Sequence, residues 1–315
     1  MGARDEVADD AEPSSSAARP IRLTVPEQAA GVRLDRFLAE PLGSRAHAQN
    51  VIDSGLVRVD GQLKPKRHSV SPGEVIEFSR PEPSAPVNEA AAAPFTISYE
   101  DDYLMVVDKP AGVVVHPARG NRTGTLAQAL AGVAAGGEEG WRAGIVHRLD
   151  RNTSGLLVVA KNDDIHRALK KLLEARLLER EYTALVEGRM DARTGTIDAA
   201  IGRSRRDRVL MSIDSDTTRE ARTHFAVQRL LARTTLLLVT LETGRTHQIR
   251  VHMQAIGHPV CGDVSYGGHQ IYGLKRQFLH ATGLRFPNPV TGEEVRVSSP
   301  LPEDLAAALR LAESE

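Results

Sequence analysis

The chain has 315 residues, a formal net charge of −1 and an apolar fraction of 41%. This length allows about two domains of on the order of 100–200 residues each, and no apolar run approaches the roughly 18 residues that a membrane-spanning helix needs. The single cysteine, Cys261, excludes an intrachain disulfide and a multi-cysteine metal site. We therefore expect a cytoplasmic protein without membrane attachment.

The charge is unevenly distributed along the chain. Residues 1–12 carry five acidic side chains against one arginine and lack the apolar stretch of a secretory signal, so residues 1–20 are predicted to form a disordered acidic tail. Basic side chains concentrate instead at 64–68 (KPKRH) and 201–208 (IGRSRRDR). Because nucleic-acid binding depends on where the positive charge lies, these clusters are compatible with an RNA partner, although a scattered basic surface is the alternative interpretation.

Residues 21–80 have the pattern of a small module of helices and strands. VRLDRFLAE (32–40) and SRAHAQNVIDSG (44–55) predict two short helices. LVRVDGQL (56–63) predicts a strand that enters an Asp-Gly turn, and EVIEF (74–78) predicts a second strand. The module is rich in basic residues, which favours RNA contact but also fits an ordinary solvated face.

A Pro/Ala-rich segment, 81–94, is predicted to be a linker. In the remaining segment, 95–315, an amphipathic helix is predicted over 165–179, with Ile165, Leu169, Leu172, Leu173 and Leu177 on its apolar face. Strands are predicted at 103–109, 155–161, 182–188, 223–230 and 235–243. Many strands and few helices without strict alternation predict an α+β fold around a mixed sheet, not a doubly wound parallel sheet.

One carboxylate lies in unusual surroundings within GIVHRLDRNTSGLLVVAKN (144–162). Asp150 has Arg148 and Arg151 on either side, at the entrance to a predicted strand. An opposite charge within about 4–6 Å keeps a carboxylate ionised, which makes Asp150 a poor general acid and a credible nucleophile. The alternative is that Asp150 pairs with an arginine or caps a turn.

A second dense segment is LETGRTHQIRVHM (241–253). Ile249 and Val251 alternate there with Arg250 and His252, which predicts an element with an apolar side and a polar side. Arg250 is thus a candidate partner for the Asp150 carboxylate. Tyr182, at a predicted strand start, could stack on a planar ring or belong to the core.

No cofactor is expected from the motifs present. His247, His252, His258 and His269 lack an HExxH pattern and an accompanying carboxylate pair, so a metal site is not predicted. The sequence contains neither a Walker loop nor a GxGxxG pattern, which argues against a nucleotide cofactor.

Taken together, these motifs resemble the bacterial RluA/RluD-type pseudouridine synthase family, in particular its D subtype. The resemblance rests on VVDKPAGVVVHPARGN (106–121), GIVHRLDRNTSGLLVVAK (144–161), REYTALVEG (180–188), LETGRTHQIRVHMQAIGHPVCGDVSYGG (241–268) and LHATGLRFPNPVTG (279–292). The segment from VRLDRFLAE to EVIEF resembles an S4 domain. Asn152 and Arg180 depart from the family pattern, in which Asp and Lys are common.

The resemblance implies an α+β catalytic domain on a mixed, largely antiparallel sheet at 95–315, preceded by a small S4-like RNA-binding domain at 21–80. It implies that uridine in RNA is isomerised to pseudouridine without a cofactor. Asp150 would be the nucleophile, attacking C1′ of the ribose or C6 of the base, and Arg250 would orient it. Tyr182 would stack on the uracil, and Ile249 would form a wall of the pocket.

The family's chemistry also requires the uridine to be flipped out of its helix. By the resemblance, Arg148 would fill the space that the base leaves. The further residues that we expect to contact substrate or RNA are His147, Arg245, His247, Arg33, Arg45, Arg58 and Lys64. The expected partner is 23S rRNA or a large-subunit precursor, with helix 69 as target, bound by a monomer. The alternatives are the same reaction on tRNA or another RNA, and a non-catalytic ribosome-assembly factor.

Overall fold

The computed structural model describes residues 21–42, 45–78, 93–118, 121–131, 133–134, 143–207 and 209–315. The predicted acidic tail, 1–20, and most of the predicted linker, 81–94, lie outside the described residues. The chain divides into two compact units, Met1–Asn88 and Glu89–Glu315. The exact bounds of the tail, the linker and the two domains stay predictions.

The N-terminal unit is a three-stranded antiparallel sheet with two short helices. Its elements are β1 Ile21–Thr24, α1 Leu34–Phe37, α2 Arg45–Asp53, β2 Val57–Val59 and β3 Val75–Phe78, with strand order β1-β3-β2. Strand β1 was not among the predicted elements. The predicted turn is present, since Asp60 and Gly61 have φ values of 47° and 75°. Leu34, Ile76 and Phe78 are buried in its core.

The C-terminal unit contains most of the secondary structure. Its strands are β4 Thr96–Glu100, β5 Leu104–Lys109, β6 Ser154–Ala160, β7 Glu179–Glu187, β8 Thr194–Asp198, β9 Ile201–Arg203, β10 Met211–Ser212, β11 Thr218–Arg219, β12 Arg222–Leu230, β13 Thr234–Leu241, β14 Leu279–Pro287 and β15 Glu294–Ser298. Its helices are α3 Leu126–Ala129, α4 Asp163–Glu174, α5 Gln248–Ala255 and α6 Glu303–Glu313. None of the described helices is long and apolar enough to cross a membrane.

Within the described part of this unit, nine strands form one sheet in the order β4-β5-β6-β14-β7-β13-β12-β8, with β15 also paired to β14. Strands β6 and β14 pair in parallel through His280 and Ala281, whereas the other pairings recorded among these strands are antiparallel. This confirms the predicted α+β fold on a mixed, largely antiparallel sheet.

Strands β5 and β6 lie in a part of the sheet that is buried on both faces, which explains their continuous apolar runs. Met105 and Val107 of β5 pack into one cluster, which also receives residues of α3, α5 and α6. Leu104 and Val106 point to the opposite face and pack into a second cluster, which is covered by α4. Helix α4 is capped at its N-terminus by Asn162, whose side chain accepts a hydrogen bond from the Ile165 N–H at 2.9 Å.

Two sequence predictions about helices were wrong. Helix α4 ends at Glu174 rather than near residue 179, because Arg176 adopts a left-handed conformation with φ 62°. Leu177, which was predicted on its apolar face, is therefore exposed. The segment predicted to alternate between an apolar and a polar side is instead the start of helix α5, and Arg250 and His252 are buried as well as their apolar neighbours.

A small separate sheet projects from residues 201–219, which we call the arm. Strand β9 lies between β10 and β11, and both pairings are antiparallel. The arm contains the basic segment 201–208 that the sequence singled out. Its base packs on the rest of the unit, because Ile201 and Ala221 share a buried cluster with Val251 of α5.

Candidate active site

A cleft of about 630 Å³ lies where the loop before β6, the start of β7 and the segment 241–250 meet. The predicted site residues of the C-terminal unit all line it, namely His147, Arg148, Asp150, Tyr182, Arg245, His247, Ile249 and Arg250. The structure thus brings together side chains that are up to about one hundred residues apart in the sequence.

The approach of the loop to the sheet depends on one glycine. Gly155, at the start of β6, has φ +113°, and a Cβ there would lie 2.3 Å from the carbonyl oxygen of Ala281 in β14. Only glycine fits both this conformation and this contact. Its neighbour Thr153 closes the turn by donating its N–H to the Asp150 carbonyl at 3.1 Å. The chain therefore enters β6 from a direction that places Asp150 in the cleft.

Asp150 is paired with Arg250, as the sequence predicted. The Nη1 of Arg250 donates to Oδ2 of Asp150 at 3.1 Å. The Asp150 side chain keeps 17% of its surface exposed, whereas Arg250 keeps 9%. The carboxylate is therefore open to the cleft, while the guanidinium that holds it lies behind it in the protein.

A second carboxylate completes the surroundings of Arg250, and sequence reasoning missed it. Asp263 accepts hydrogen bonds from Nε of Arg250 at 2.6 Å and from Nη2 at 2.8 Å. Burial opposes the charge of Arg250, but the hydrogen bonds and charge of Asp263, together with Asp150, outweigh it and raise the pKa of Arg250 above its ordinary value. The signal for Asp263 was its position after the Gly262 turn in CGDVSYGG, within a motif already singled out.

His247 flanks the other oxygen of the same carboxylate. Its Nε2 lies 3.9 Å from Oδ1 of Asp150, and its Nδ1 is hydrogen-bonded to the Tyr266 hydroxyl at 2.8 Å. Burial, as the largest cause, lowers the pKa of His247 below 6.5, so the ring is neutral at neutral pH. The residue adopts φ 57° and ψ 21°, a left-handed conformation that few residues other than glycine adopt.

Tyr182 and Ile249 form an apolar part of the cleft. Tyr182 lies on β7, paired across to Val239 of β13 and Ala281 of β14. Tyr182 and Ile249 are only 5% and 4% exposed. Burial chiefly, with a contribution from Asp150, raises the pKa of the Tyr182 hydroxyl against the opposing effect of Arg180, so the phenol is neutral.

The residues that flank Asp150 differ in their contacts. Arg148 is exposed at the cleft, whereas Nε of Arg151 donates to the Gly112 carbonyl at 3.1 Å. The Nε2 of His147 accepts the Val158 N–H at 3.3 Å. Burial, with a smaller effect of Arg180, lowers the pKa of His147 to about 3. His147 is thus a neutral side chain that ties the loop to β6, and its contact with RNA stays a prediction.

A buried lysine beneath the loop was not predicted. Lys109 donates from Nζ to the carbonyls of Pro110 and Val113, both at 2.9 Å, and to that of Arg151 at 3.1 Å. Three carbonyl acceptors match the three hydrogens of an ammonium group. Burial lowers the pKa of Lys109 to about 7, although the charge of Asp150 opposes this shift. Lys109 therefore fixes the backbone directly after Asp150.

Two arginines that line the cleft, Arg245 and Arg180, donate hydrogen bonds to backbone carbonyls. Arg245 donates from Nε to the Glu220 carbonyl at 2.9 Å. Arg180 donates from Nη2 to the Leu241 carbonyl at 3.1 Å, and burial lowers its pKa. Both arginines therefore hold the segment 241–245 in place as well as lining the cleft.

The candidate RNA-binding residues of the N-terminal unit differ in how free their side chains are to contact RNA. Arg33 forms a two-fold hydrogen bond with buried Asp35, at 3.0 and 3.1 Å. Arg58 is exposed and contacts the Gly61 carbonyl at 3.0 Å, and Lys64 contacts Gln62 at 3.1 Å. The side chain of Arg45 lies outside the described part of the structure. Arg58 and Lys64 are thus freer than Arg33 to meet an RNA phosphate.

The described residues contain neither a metal-binding cluster nor a reactive thiol. Over the ranges that the structure describes, no group of three or more His, Cys, Asp or Glu side chains could hold a metal ion. Cys261 is buried, and burial raises the pKa of its thiol well above the ordinary value. It therefore has the properties of an inert core residue.

Comparisons with known proteins agree with this arrangement. The family described as RNA pseudouridylate synthase matches residues 103–255, and the S4 domain family matches residues 32–76. An uncharacterized RNA pseudouridine synthase of Bacillus subtilis is 44% identical, over 91% of this chain and 96% of its own. The ribosomal large subunit pseudouridine synthase D of Nitrosomonas europaea is 42% identical, over 95% of this chain and 92% of its own.

A solved structure has the same catalytic fold. Human RNA pseudouridylate synthase domain containing 1 superposes with a TM-score of 0.53 at 29% identity, covering 72% of this chain and 90% of its own. The match in sequence extends over nearly the whole chain. The chain therefore belongs to the RNA pseudouridine synthase family, whose members isomerise uridine in RNA, and it carries an S4 domain ahead of the synthase domain.

Proposed function

We propose that this protein converts specific uridines of 23S rRNA to pseudouridine, with the stem-loop of helix 69 as its target. The observation that carries the catalytic part is the partly exposed carboxylate of Asp150, which lines the cleft and is held by buried Arg250. The choice of rRNA is supported by the relatives from Nitrosomonas europaea and Xanthomonas campestris, both named ribosomal large subunit pseudouridine synthase D.

The reaction needs a nucleophile and no external reagent. Asp150 attacks the nucleotide at C1′ of the ribose or at C6 of the base, and both routes fit a carboxylate that reaches into the cleft. The N1–C1′ bond breaks, the uracil turns while it stays bound, and C5 bonds to C1′. The hydrogen at C5 leaves as a proton, N1 gains a proton, and the carboxylate is released. Atoms and electrons balance without a cofactor.

Arg250 acts on the nucleophile, Asp150, and Tyr182 acts on the uracil. Arg250 keeps the Asp150 carboxylate charged and oriented, and its bonds to Asp263 fix its own position. Tyr182 stacks on the uracil and assists removal of the C5 proton, for which its phenol must give up its own hydrogen as its oxygen accepts that proton. Ile249, buried beside it, forms the apolar wall against which the ring turns.

The uridine must leave its helix to reach Asp150, which costs a few kcal/mol. Arg148 is exposed at the rim of the cleft and carries a planar guanidinium, so it can fill the vacated space and stack on the neighbouring bases. His147, Arg245 and His247 line the cleft around the flipped nucleotide.

The S4 domain contributes affinity through phosphate contacts of its exposed basic side chains, chiefly Arg58 and Lys64. We propose that the protein acts as a monomer in the cytoplasm, where its rRNA partner is found. A non-catalytic assembly factor is disfavoured, because Asp150, Tyr182 and Arg250 are all present and all line one cleft.

The test is site-resolved mapping of pseudouridine in the RNA of a strain that lacks this protein. Loss of pseudouridine in helix 69, restored by the wild-type protein and not by Asp150→Asn, would support the proposal. Loss confined to tRNA would replace the rRNA target with the alternative substrate. An unchanged pseudouridine map would show that the protein acts as an RNA-binding factor.

A further inference from the structure

The arm carries five arginines against three aspartates, yet it lies outside the group of residues that line the cleft. Its side chains are largely exposed, and Val209 is 75% exposed. Arg205 is paired within the arm to Asp214 and Asp216. At the base, Leu210 and Met211 pack against the buried cluster that contains Tyr266. The arm is therefore a basic projection with a fixed root.

Tyr266 is the residue at which this root meets the candidate active site. Its side chain is 1% exposed. Its hydroxyl oxygen accepts the backbone N–H of Met211 in β10 at 2.9 Å. The same hydroxyl is hydrogen-bonded to Nδ1 of His247 at 2.8 Å. One phenol oxygen thus joins the backbone of the arm to a side chain that faces Asp150.

The hydroxyl of Tyr266 has a hydrogen to offer to Nδ1 of His247, because the Met211 N–H can only donate and the Tyr266 oxygen accepts from it. In that arrangement the hydrogen of a neutral imidazole lies on Nε2, the nitrogen that is 3.9 Å from Oδ1 of Asp150.

The ring of Tyr266 supports the second partner of the same carboxylate. The guanidinium carbon of Arg250 lies 4.7 Å from the centre of the ring, within the range of a cation–π contact. Arg250 donates to Oδ2 of Asp150, and His247 faces Oδ1. Tyr266 consequently contacts both groups that flank the carboxylate, although it does not line the cleft itself.

We propose that Tyr266 is a positioning residue that couples the arm to Asp150, so that RNA bound along the arm holds the nucleophile in its reactive orientation. The proposal rests on the proposed function and extends it to RNA outside the cleft. The arm's arginines contact the phosphates of the RNA that flanks the target loop. Movement of β10 withdraws the Met211 N–H, which loosens Tyr266, His247 and Arg250 together. A displacement of about 1 Å at a reacting group can cost on the order of 10²-fold in rate.

Two single variants and their combination test the coupling. Tyr266→Phe removes the hydroxyl and keeps the ring under Arg250. Met211→Pro removes the amide donor, and proline is tolerated on β10 because this strand pairs with β9 alone among its described neighbours. Met211→Ala is the matched control, since it keeps the N–H and loses the side chain. Single-turnover rates and RNA dissociation constants are measured on one rRNA fragment that contains helix 69 and its flanks.

Each single variant is expected to slow the single-turnover step by about tenfold, the usual effect of one lost buried hydrogen bond. The dissociation constant is expected to stay within about twofold of wild type, and Met211→Ala is expected to react at nearly the wild-type rate. The double variant should be no slower than the slower single variant, because both changes break the same connection.

The proposal is overturned if Tyr266→Phe reacts as fast as wild type, if it weakens RNA binding instead of slowing reaction, or if the two effects multiply. Should Met211→Pro fail to fold by circular dichroism, Arg206→Ala with Arg219→Ala replaces it as the arm variant. The two arginine substitutions together must then slow the single-turnover reaction of the otherwise wild-type protein and leave the rate of Tyr266→Phe unchanged. If the wild-type protein makes no pseudouridine, the proposed function is refuted as well. If the wild-type protein is active and Tyr266→Phe reacts equally fast, only the coupling is refuted.

Discussion

Arg250 reaches Asp150 through Nη1 at 3.1 Å, while Nε and Nη2 of the same guanidinium are bound to Asp263 at 2.6 and 2.8 Å. One arginine therefore serves two carboxylates of different exposure. Asp263 is 2% exposed at its side chain and holds the arginine, whereas Asp150 is 17% exposed and faces the cleft. The buried Arg250–Asp263 pair therefore orients Arg250 toward Asp150, the carboxylate that substrate can reach.

Replacing Asp263 by asparagine is expected to lower the free energy of unfolding by about 1.5–3 kcal/mol, because buried Arg250 loses its closer charged partner and keeps only Asp150. Urea denaturation measures the change. Asp304→Asn is the matched control, since Asp304 also pairs with a buried arginine, Arg276, but is 54% exposed and should cost much less. Equal losses in the two variants would contradict the role given to Asp263.

The sequence predicted the sheet from local apolar runs, and it predicted the Asp150–Arg250 pair from the dense motifs that contain these two residues. It missed helix α5, because a short buried segment such as 248–253 has no exposed side that could reveal its period. It also missed Lys109, Asp263 and Tyr266. Their roles depend on contacts made after folding, such as Nζ of Lys109 with the Arg151 carbonyl, 42 residues away.

Arg148→Ala is expected to slow reaction by on the order of 10²-fold on a stem-loop whose target uridine is stacked. On a single-stranded substrate, in which the base is already free, the loss should be much smaller. Single-turnover assays on the two RNAs measure this difference. Arg167→Ala, which changes an exposed arginine of α4, is the control. Equal losses on both RNAs would remove Arg148 from base flipping.

The two freer basic residues of the S4 domain should be visible in the salt dependence of RNA binding. Replacing Arg58 and Lys64 together by alanine is expected to lower the slope of log K against log salt by about 1.4–1.8, since each lost phosphate contact contributes about 0.7–0.9. Arg33→Ala should change this slope less and stability more, because Arg33 is bound to buried Asp35. A slope unchanged by the double substitution would argue against phosphate contacts.

Lys109 should make stability depend on pH in a definite direction. Its pKa is lowered from 10.5 to about 7 by burial, so between these values the unfolded chain binds more protons than the folded one. The unfolding free energy of the wild type should therefore rise with pH, relative to Lys109→Met, across this range. Urea denaturation of both proteins at several pH values measures the difference. Parallel pH profiles would show that the lysine keeps its ordinary pKa.

The central claim is that the Asp150 carboxylate is the nucleophile, and the most direct test compares purified wild type with Asp150→Asn on a helix 69 transcript. Asparagine keeps the shape of the side chain and removes its charge. The account predicts an unchanged RNA dissociation constant and no pseudouridine above the enzyme-free background by mass spectrometry, even after long incubation. Conversion by Asp150→Asn at a rate within about tenfold of wild type would contradict it.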